Sequence, residues 1–322
     1  SIEELRQSHP DLDIVLVTTE VTVDILKEAL RTGVREVVSE SGGIKELGDS
    51  LGRLAARGRG LRSHSGKVLA FMSCKGGSGA TFLAANMGYA LAALTRKQVL
   101  LIDLNLQFGD AVLYLSDRRP ASSVVDVIQD SNRLDAALLQ SAVVQVLPNY
   151  WVLPAPADPG ATPDLQSSTV QDLIRFARTQ ADYVLIDLGR KIDAVSIQAL
   201  DAADQVYPVM QQTLPYIRDG KRMLDVFRSL GYSDEKVRPV LCRHQANAEI
   251  STDDLADALS TPIFASIAND YRVASSSVNQ GIPVFKMARG SAISRGLAEW
   301  VEKIETPVPQ ESSWIRRLLK RG

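Results

Sequence analysis

The sequence predicts an α/β protein whose main domain is a doubly wound, mostly parallel sheet. Three observations support this prediction: a glycine-rich turn joins an apolar strand to a helix, further apolar strands follow at α/β spacing, and helical stretches separate most of them. Many of the strands are apolar throughout, which is typical of central strands covered by helices on both faces. Because ligands of such sheets bind beyond the carboxyl ends of the strands, a functional site is expected at that edge.

The strands of the main domain are predicted from the apolar runs. The first is at 68–72, directly before the glycine-rich turn, and a helix follows over 81–94. Later strands are predicted at 98–104, 150–153, 183–188, 205–210, 237–241 and 262–267. We expect the main domain to span residues 63–307.

A shorter segment, residues 1–62, precedes this domain and has a β-α-β-α pattern of its own. Strands are predicted at 13–19 and 34–39 and helices at 21–31 and 44–56, so the two strands are expected to pair in parallel. The segment is too small to form a whole domain. The alternative is that its elements are additions to the main domain.

The stretch LRTGVREVVSES within this segment resembles the last strands and helices of a response-regulator receiver. The resemblance implies that the first half of such a domain is absent, and with it the strand that would carry a phospho-acceptor Asp. Ser39-Glu40-Ser41 stands where receivers place a Lys after their last strand. We therefore expect a receiver-like, non-signalling module. A basic, glycine-rich linker that contains Arg53, Arg57, Arg59 and Arg62 ends the 1–62 segment. We interpret it as a solvated hinge; contact with nucleic acid or anionic lipid is the alternative.

Length and composition are those of an ordinary globular protein. With 322 residues and 45% hydrophobic residues, about two domains are expected. The 36 basic and 38 acidic residues give a net charge of −2, which argues against binding of nucleic acid through bulk charge. No apolar run approaches the ~20 residues that cross a bilayer and no signal-peptide pattern is present, so a cytoplasmic location is expected. Cys74 and Cys242 lack metal-ligand spacing and are interpreted as two reduced thiols.

The glycine-rich turn at 74–81 reads Cys-Lys-Gly-Gly-Ser-Gly-Ala-Thr. Gly76, Gly77 and Gly79 allow the backbone to turn tightly, and the helix that follows directs its positive end to the same point. The arrangement predicts an anion-binding loop; the alternative is a turn that only permits close packing. In the common phosphate-loop pattern a Lys precedes the Ser/Thr. Here Thr81 is present, but Ala80 replaces that Lys.

Two aspartates end apolar strands in matching positions. Asp103 follows 99–102, and Asp187 follows 183–186. Next to a phosphate loop, such carboxylates are expected to bind magnesium directly or through water, together with the Thr81 hydroxyl. The alternative role is capping of a turn or helix.

Three motifs together resemble the MinD/ParA ATPases. The segment KGGSGAT at 75–81 is similar to their deviant Walker A motif, LIDLNLQFGD at 101–110 to switch I, and VLID at 184–187 to Walker B. Within that superfamily the stretches DLNLQFGDAVLYL and EISTDDLADAL, followed by PIFASIANDYRVASSSVNQGIPV, resemble TadZ/CpaE proteins, which position the Tad (Flp) pilus assembly machinery. The likeness implies a MinD/ParA-type P-loop fold, ATP and Mg²⁺ as cofactors, and a homodimer.

The resemblance also assigns residues. It implies that Lys75 reaches the nucleotide of the partner subunit, and the catalytic candidates are Lys75 and Asp103. Magnesium is expected at Thr81, Asp103 and Asp187. The nucleotide-binding candidates are Lys75, Gly76, Gly77, Ser78, Gly79, Ala80, Thr81 and Arg243.

This chain departs from the superfamily pattern in three places. Ala80 removes a charge-assisted phosphate contact, typically worth about 1.5–3 kcal/mol or roughly ten- to a hundredfold in affinity. Asn105 stands where active members carry the Asp that orients the attacking water, and a neutral amide cannot act as a carboxylate base. In the region that contacts adenine, relatives often show an Asn, whereas this chain has Cys242-Arg243. Arg243 is a candidate for stacking on the base; an ordinary surface Arg is the alternative.

The tail at 308–322 predicts a short basic amphipathic helix. Its apolar residues fall on one face and its cations on the other over 314–321, which suits either contact with the inner-membrane surface or docking on a partner.

The leading hypothesis is an ATP-dependent dimeric scaffold that localises pilus or secretion machinery, including its assembly ATPase, at a cell pole, with weak or absent hydrolysis. The alternatives are a slow Mg-dependent ATPase that uses Lys75 and a ParA-like DNA-partition protein. The near-neutral charge argues against the latter.

Overall fold

The computed structural model describes most of the main domain and parts of the segment before it. The described residues are 14–20, 22, 24–25, 29, 32, 34, 36–43, 47–48, 50, 66–129, 134–158, 160 and 165–306. The chain divides into two compact units, Ser1–Ser65 and Gly66–Gly322. The predicted basic linker and the predicted amphipathic tail lie outside the described residues.

The described residues of the first unit include two short strands, β1 (Val15–Thr18) and β2 (Glu36–Ser39). They pair in parallel, from Val15 opposite Glu36 to Thr18 opposite Ser39. A single 3-10 turn, Glu40–Gly42, follows β2. The predicted parallel pairing is therefore confirmed, whereas the likeness to a receiver stays a prediction.

The second unit is built on an eight-stranded sheet. Its strands are β3 (Lys67–Ser73), β4 (Val99–Asp103), β5 (Val144–Leu147), β6 (Tyr150–Leu153), β7 (Tyr183–Asp187), β8 (Gln205–Met210), β9 (Val240–His244) and β10 (Ala265–Ala268). Their order in the sheet is β10-β9-β8-β3-β7-β4-β6-β5, and all neighbouring pairs are parallel except β5 with β6. The predicted doubly wound, mostly parallel sheet is confirmed.

Helices cover both faces of this sheet. They are α1 (Ala80–Thr95), α2 (Val124–Gln129), α3 (Ala136–Ala142), α4 (Ser167–Gln180), α5 (Ala194–Ala202), α6 (Leu214–Ser229), α7 (Thr252–Leu259), α8 (Tyr271–Gln280), α9 (Val284–Met287) and α10 (Ala292–Glu305). In the described residues, no helix combines the length and the apolar character needed to cross a membrane.

The central strand β3 shows how two cores form around one sheet. Because successive side chains of a strand point to opposite faces, Leu69 and Phe71 enter the core made with α1 and α10. Val68, Ala70 and Met72 enter the core made with α4, α5 and α6. The strand is apolar throughout because both of its faces are buried, and this places the glycine-rich turn at the sheet edge.

Three features of the sheet differ from the prediction. Strand β9 begins at Val240 rather than 237, because Pro239 has no N–H for the ladder. Strand β10 begins at Ala265 rather than 262, after another proline. The short antiparallel edge strand Val144–Leu147 was not predicted, since its four residues carry too little pattern. Because β9 runs from Val240 to His244, Arg243 lies near the carboxyl end of this strand.

Candidate functional site

The glycine-rich turn lies between β3 and α1, as predicted. Its residue Gly79 adopts φ +96°, and α1 begins at Ala80. A Cβ on Gly79 would lie 2.7 Å from the Cys242 Sγ, so only glycine fits between the loop and β9. The sequence prediction of a strand, a turn and a helix in this order is confirmed.

Side chains of other elements hold the loop through two of its carbonyl groups, while the Ser78 N–H donates to the Lys75 carbonyl at 3.1 Å. The Tyr216 hydroxyl donates to the Gly76 carbonyl at 3.0 Å, and Gln211 Nε2 donates to the Gly77 carbonyl at 2.8 Å. The N–H groups of Gly76, Gly77 and Gly79 donate to no acceptor in the described part of the chain. Free N–H groups at the start of a helix are the usual donors of a phosphate site.

A cleft of about 1070 Å³ opens above this loop. Its walls come from the carboxyl ends of several strands, as expected for an open α/β sheet. Residues lining the cleft include Gly76, Gly77, Gly79, Ala80, Thr81, Asn105, Gly189, Arg190, Gln211, Cys242, Arg243, Asn269, Asp270 and Tyr271. The volume is sufficient for a nucleotide, since ligand pockets commonly measure ~300–1,000 Å³.

Position 80 supplies no cation to this cleft. Ala80 borders the cleft but is only 2% exposed, and its methyl group belongs to the core made with α1. Lys75, the other lysine of the motif, donates from Nζ to the Asp219 Oδ2 of α6 at 3.3 Å. This hydrogen bond holds the pKa of Asp219 below its usual value. Neither Lys75 nor Asp219 lines the cleft.

The two strand-end aspartates lie directly opposite each other. Asp103 of β4 pairs in register with Asp187 of β7, and both side chains are buried. Asp103 accepts the N–H of Asn105 on Oδ1 and that of Ala111 on Oδ2, each at 3.1 Å. Burial, followed by the charge of Asp187, raises the pKa of Asp103 well above its usual value, although these two bonds oppose the shift.

Asp187 has a different environment. Its Oδ1 accepts a long bond from Gly189 N–H at 3.5 Å, and its Oδ2 has no hydrogen-bond partner among the described residues. Burial raises the pKa of Asp187 to about 6, and the nearby Thr81 hydroxyl and the Gly189 N–H oppose this shift. A buried carboxylate oxygen without a partner, next to a threonine hydroxyl, fits a magnesium ion.

Magnesium would need further ligands from a bound phosphate. The described residues contain no group of three or more His, Cys, Asp or Glu side chains that could hold a metal ion. Mg²⁺ is ordinarily held by one or two carboxylates plus waters and substrate phosphates, which matches Asp187, Thr81 and the loop. When bound, the ion would neutralise phosphate charge.

Asn105 is engaged with its own loop. Its Nδ2 donates to the Phe108 carbonyl at 3.1 Å, and its Oδ1 lies against Gly189. The side chain lines the cleft at the place where the superfamily pattern predicted a carboxylate. A neutral amide here can donate or accept a hydrogen bond but cannot take up a proton at neutral pH.

The other wall of the cleft comes from β9 and β10. Arg243 adopts φ +57°, a conformation uncommon for residues other than glycine and often found at functional sites. Burial raises the pKa of the adjacent Cys242 thiol to about 11, so it stays neutral. Tyr271, at the start of α8, also lines this wall. Both cysteines are free, as predicted.

Several residues of the site escaped the sequence prediction. Arg190 follows Asp187 by three residues and Gln211 directly follows β8, so the strand-end rule could have found both. Tyr216 and Asp219 lie on α6, and nothing in the sequence connects that helix with the loop 140 residues earlier.

Comparisons with known proteins agree with this geometry. A family profile for an AAA domain, AAA_31, matches residues 66–278. The septum site-determining protein MinD of Thermotoga maritima is 31% identical over 260 residues, covering 78% of this chain and 92% of the relative. A solved ParA family ATPase from Chlorobium tepidum has 29% identity and a TM-score of 0.70, over 73% of this chain and 98% of that chain. MinD from Pyrococcus horikoshii, solved with Mg-ADP, shares the fold at a TM-score of 0.65 and 20% identity, over 74% of this chain and 96% of that chain.

Proposed function

Since this chain belongs to the MinD/ParA superfamily of P-loop ATPases, we propose that it binds Mg-ATP, dimerises around the nucleotide and acts as a localisation scaffold with weak or absent hydrolysis. One observation carries the proposal. In the part of the chain that the structure describes, the N–H groups of Gly76, Gly77 and Gly79 and the Asp187 Oδ2 have no partner, while Ala80 and Asn105 stand where a cation and a carboxylate are expected. Most groups that bind a nucleotide and magnesium are retained, whereas one phosphate-binding cation and the carboxylate needed for hydrolysis are missing.

In this proposal different residues bind the phosphates, the magnesium ion and the base of the nucleotide. The N–H groups of Gly76, Gly77, Gly79 and Ala80 belong to the phosphate side. The predicted contact of Ser78 is not made by its N–H in this structure, because that group donates to the Lys75 carbonyl at 3.1 Å. Thr81 and Asp187 hold magnesium, with Asp103 acting through the switch loop and through water because its oxygens already accept two N–H groups. Arg243 and the wall made by β9 and β10 face the base.

Dimerisation is proposed through the face that surrounds the cleft. Phe108 and Tyr271, which line the cleft, are each 77% exposed, and Leu214, which follows the lining residue Thr213, is 73% exposed. Large apolar side chains around one opening favour a protein interface. Lys75, which is paired with Asp219 in this structure, would leave that carboxylate and reach the nucleotide of the partner subunit.

The scaffold role is the most specific part of the proposal. Its support is the likeness of the switch region and the 249–284 region to TadZ/CpaE proteins, and it makes the pilus or secretion assembly ATPase the expected partner at a cell pole. A cytoplasmic location, with contact of the 314–321 tail to the inner membrane, belongs to the same proposal.

A slow Mg-dependent ATPase is the second candidate. The relative at 31% identity, a MinD, favours it. In that case Lys75 would replace the missing lysine. A DNA-partition role is the third candidate, and the net charge of −2 argues against it.

The deciding experiment combines light-scattering mass measurement with a titration of Mg-ATP. We expect the mass to double with Mg-ATP, with little phosphate release. If the molecular mass is the same with and without Mg-ATP and no nucleotide binds, the proposal is refuted. Turnover that is abolished by Lys75→Ala would favour the enzyme instead, and salt-sensitive binding to non-specific duplex DNA would favour partition.

The hydrolysis defect is tested by gain of function. The double variant Ala80→Lys with Asn105→Asp restores both missing groups, so phosphate release should rise by a factor of about 10² or more. Failure of the double variant to exceed the parent protein would show that these two positions do not limit turnover.

The scaffold role needs its own measurement. The purified Tad-type assembly ATPase from the same genome should co-elute with the Mg-ATP-bound protein and separate from the nucleotide-free one. Equal retention in both states would leave nucleotide-dependent scaffolding without support, and absence of retention in both would refute the partner assignment.

A further inference from the structure

The loop after β7 is tied to the base of the phosphate loop. The Ser73 N–H donates to the Gly189 carbonyl at 2.7 Å, and Ser73 is the last residue of β3. Gly189 adopts φ +63°, and a Cβ there would lie 2.7 Å from the Asn105 Oδ1. Only glycine allows this approach, so the backbone carries the next residue, Arg190, to the wall of the cleft.

Arg190 is a weakly engaged cation beside an anion site. Its Nη2 lies 3.9 Å from the Asp219 Oδ2, which is its only partner in the described part of the chain, and its side chain is 61% exposed. The same carboxylate group also faces Lys75 at 3.3 Å and Arg222 at 3.9 Å. Three cations around one carboxylate leave a positive excess next to the free N–H groups of the loop, which favours an anion there.

The strand order separates the two arginines of the cleft. Strand β7, which leads to Arg190, is the direct neighbour of β3 and also carries Asp187. Strand β9, which carries Arg243, lies on the other side of β3 and two positions away. Arg190 therefore stands on the phosphate and magnesium side, and Arg243 stands on the side proposed for the base.

We infer that Arg190 supplies the cationic phosphate contact that the loop lacks at position 80. The inference rests on the proposed nucleotide binding and adds a residue that the phosphate-loop motif does not contain. Arginine suits the task because its planar guanidinium can donate two parallel hydrogen bonds to one phosphate. The contact comes from a neighbouring strand instead of from the first turn of α1.

The test is a calorimetric titration of the full chain with Mg-ATP, Mg-ADP and AMP. Arg190→Ala should weaken binding of Mg-ATP and Mg-ADP by about ten- to a hundredfold and that of AMP much less. Arg222→Ala is the matched control, because Arg222 lies at the same distance from Asp219 with a side chain 68% exposed but does not line the cleft. It should change each affinity less than about threefold. Circular dichroism of each variant verifies that it is folded.

Rescue gives a second arm. Ala80→Lys should restore the affinity for Mg-ATP in the Arg190→Ala background. In the parent protein it should raise this affinity much less, because Arg190 already supplies the same phosphate contact. The inference is overturned if Arg190→Ala and Arg222→Ala bind alike, or if Ala80→Lys improves both backgrounds by the same factor. If the parent protein binds none of the three nucleotides, the proposed function fails together with the inference.

Discussion

The carboxyl ends of β4 and β7 each carry one aspartate at the same level of the sheet, yet the two carboxylates have different partners. At β4, both oxygens of Asp103 accept N–H groups of the loop that follows the strand. At β7, the Oδ2 of Asp187 is buried without a partner among the described residues. An identical sequence signal thus gives one carboxylate that organises a loop and one that is available to a cation. Which of the two roles applies depends on the backbone of the next eight residues.

The largest effect is expected from removing the loop-organising carboxylate. Asp103→Ala leaves the N–H groups of Asn105 and Ala111 without an acceptor, and each unpaired buried donor costs about 1–3 kcal/mol. We expect the free energy of unfolding to fall by about 2–4 kcal/mol in a urea titration. Asp110→Ala is the control, since Asp110 is exposed and makes no capping bond, and it should change stability by less than about 0.5 kcal/mol. If Asp103→Ala and Asp110→Ala lowered the free energy of unfolding equally, Asp103 would not be the carboxylate that organises the loop.

The second prediction concerns pH. The pKa of Asp187 is raised from 3.8 to about 6 by burial, so the folded state holds its proton more tightly than the unfolded state does. The stability that comes from this proton is complete below pH 4 and is lost as the pH rises through 6. Asp187→Asn does not titrate. Without nucleotide and with EDTA, the variant should therefore be more stable than the parent protein at pH 7.5, by on the order of 1–3 kcal/mol.

The difference between Asp187→Asn and the parent protein should close toward pH 4, as measured by thermal unfolding at a series of pH values. A variant that is less stable than the parent protein at pH 7.5 would mean that the Asp187 carboxylate is satisfied in the nucleotide-free protein. The contrast between the two strand ends would then be lost.

A third prediction tests the contact between the two loops. Gly189→Ala places a methyl group against the Asn105 side chain and keeps a left-handed backbone, which together should cost about 2 kcal/mol in unfolding free energy. Gly231→Ala is the control, because Gly231 has a similar φ of +81° and open space around it, so it reports the backbone cost of about 1 kcal/mol alone. If both variants lose the same unfolding free energy, the Asn105 side chain moves aside without cost and the two loops are not coupled.

The sequence could predict the residues of the site whose positions depend on local structure, but not those that depend on tertiary packing. The glycine-rich turn, Thr81 and the strand-end aspartates follow from local spacing, because a strand, a turn and a helix fix their positions relative to one another. Tyr216 and Asp219 could not be predicted, since their contacts with the loop depend on how α6 packs. The same holds for the edge strand Val144–Leu147, whose pairing exists only through its neighbour.

The smallest expected effect is that of magnesium without nucleotide. Asp187 and Thr81 offer too few ligands by themselves, and the described residues hold no cluster of three acidic, His or Cys ligands. Millimolar MgCl₂ alone should therefore change the unfolding free energy by less than about 0.5 kcal/mol, whereas Mg-ADP at a hundred times its Kd should add about 2.7 kcal/mol. In Asp187→Asn, EDTA should no longer weaken ADP binding, because the ligand that makes the nucleotide prefer magnesium is gone. If magnesium alone stabilised the protein and did so equally in Asp187→Asn, the ion would bind elsewhere. Asp187 would then not be the cation-binding carboxylate, and β4 and β7 would no longer differ in function.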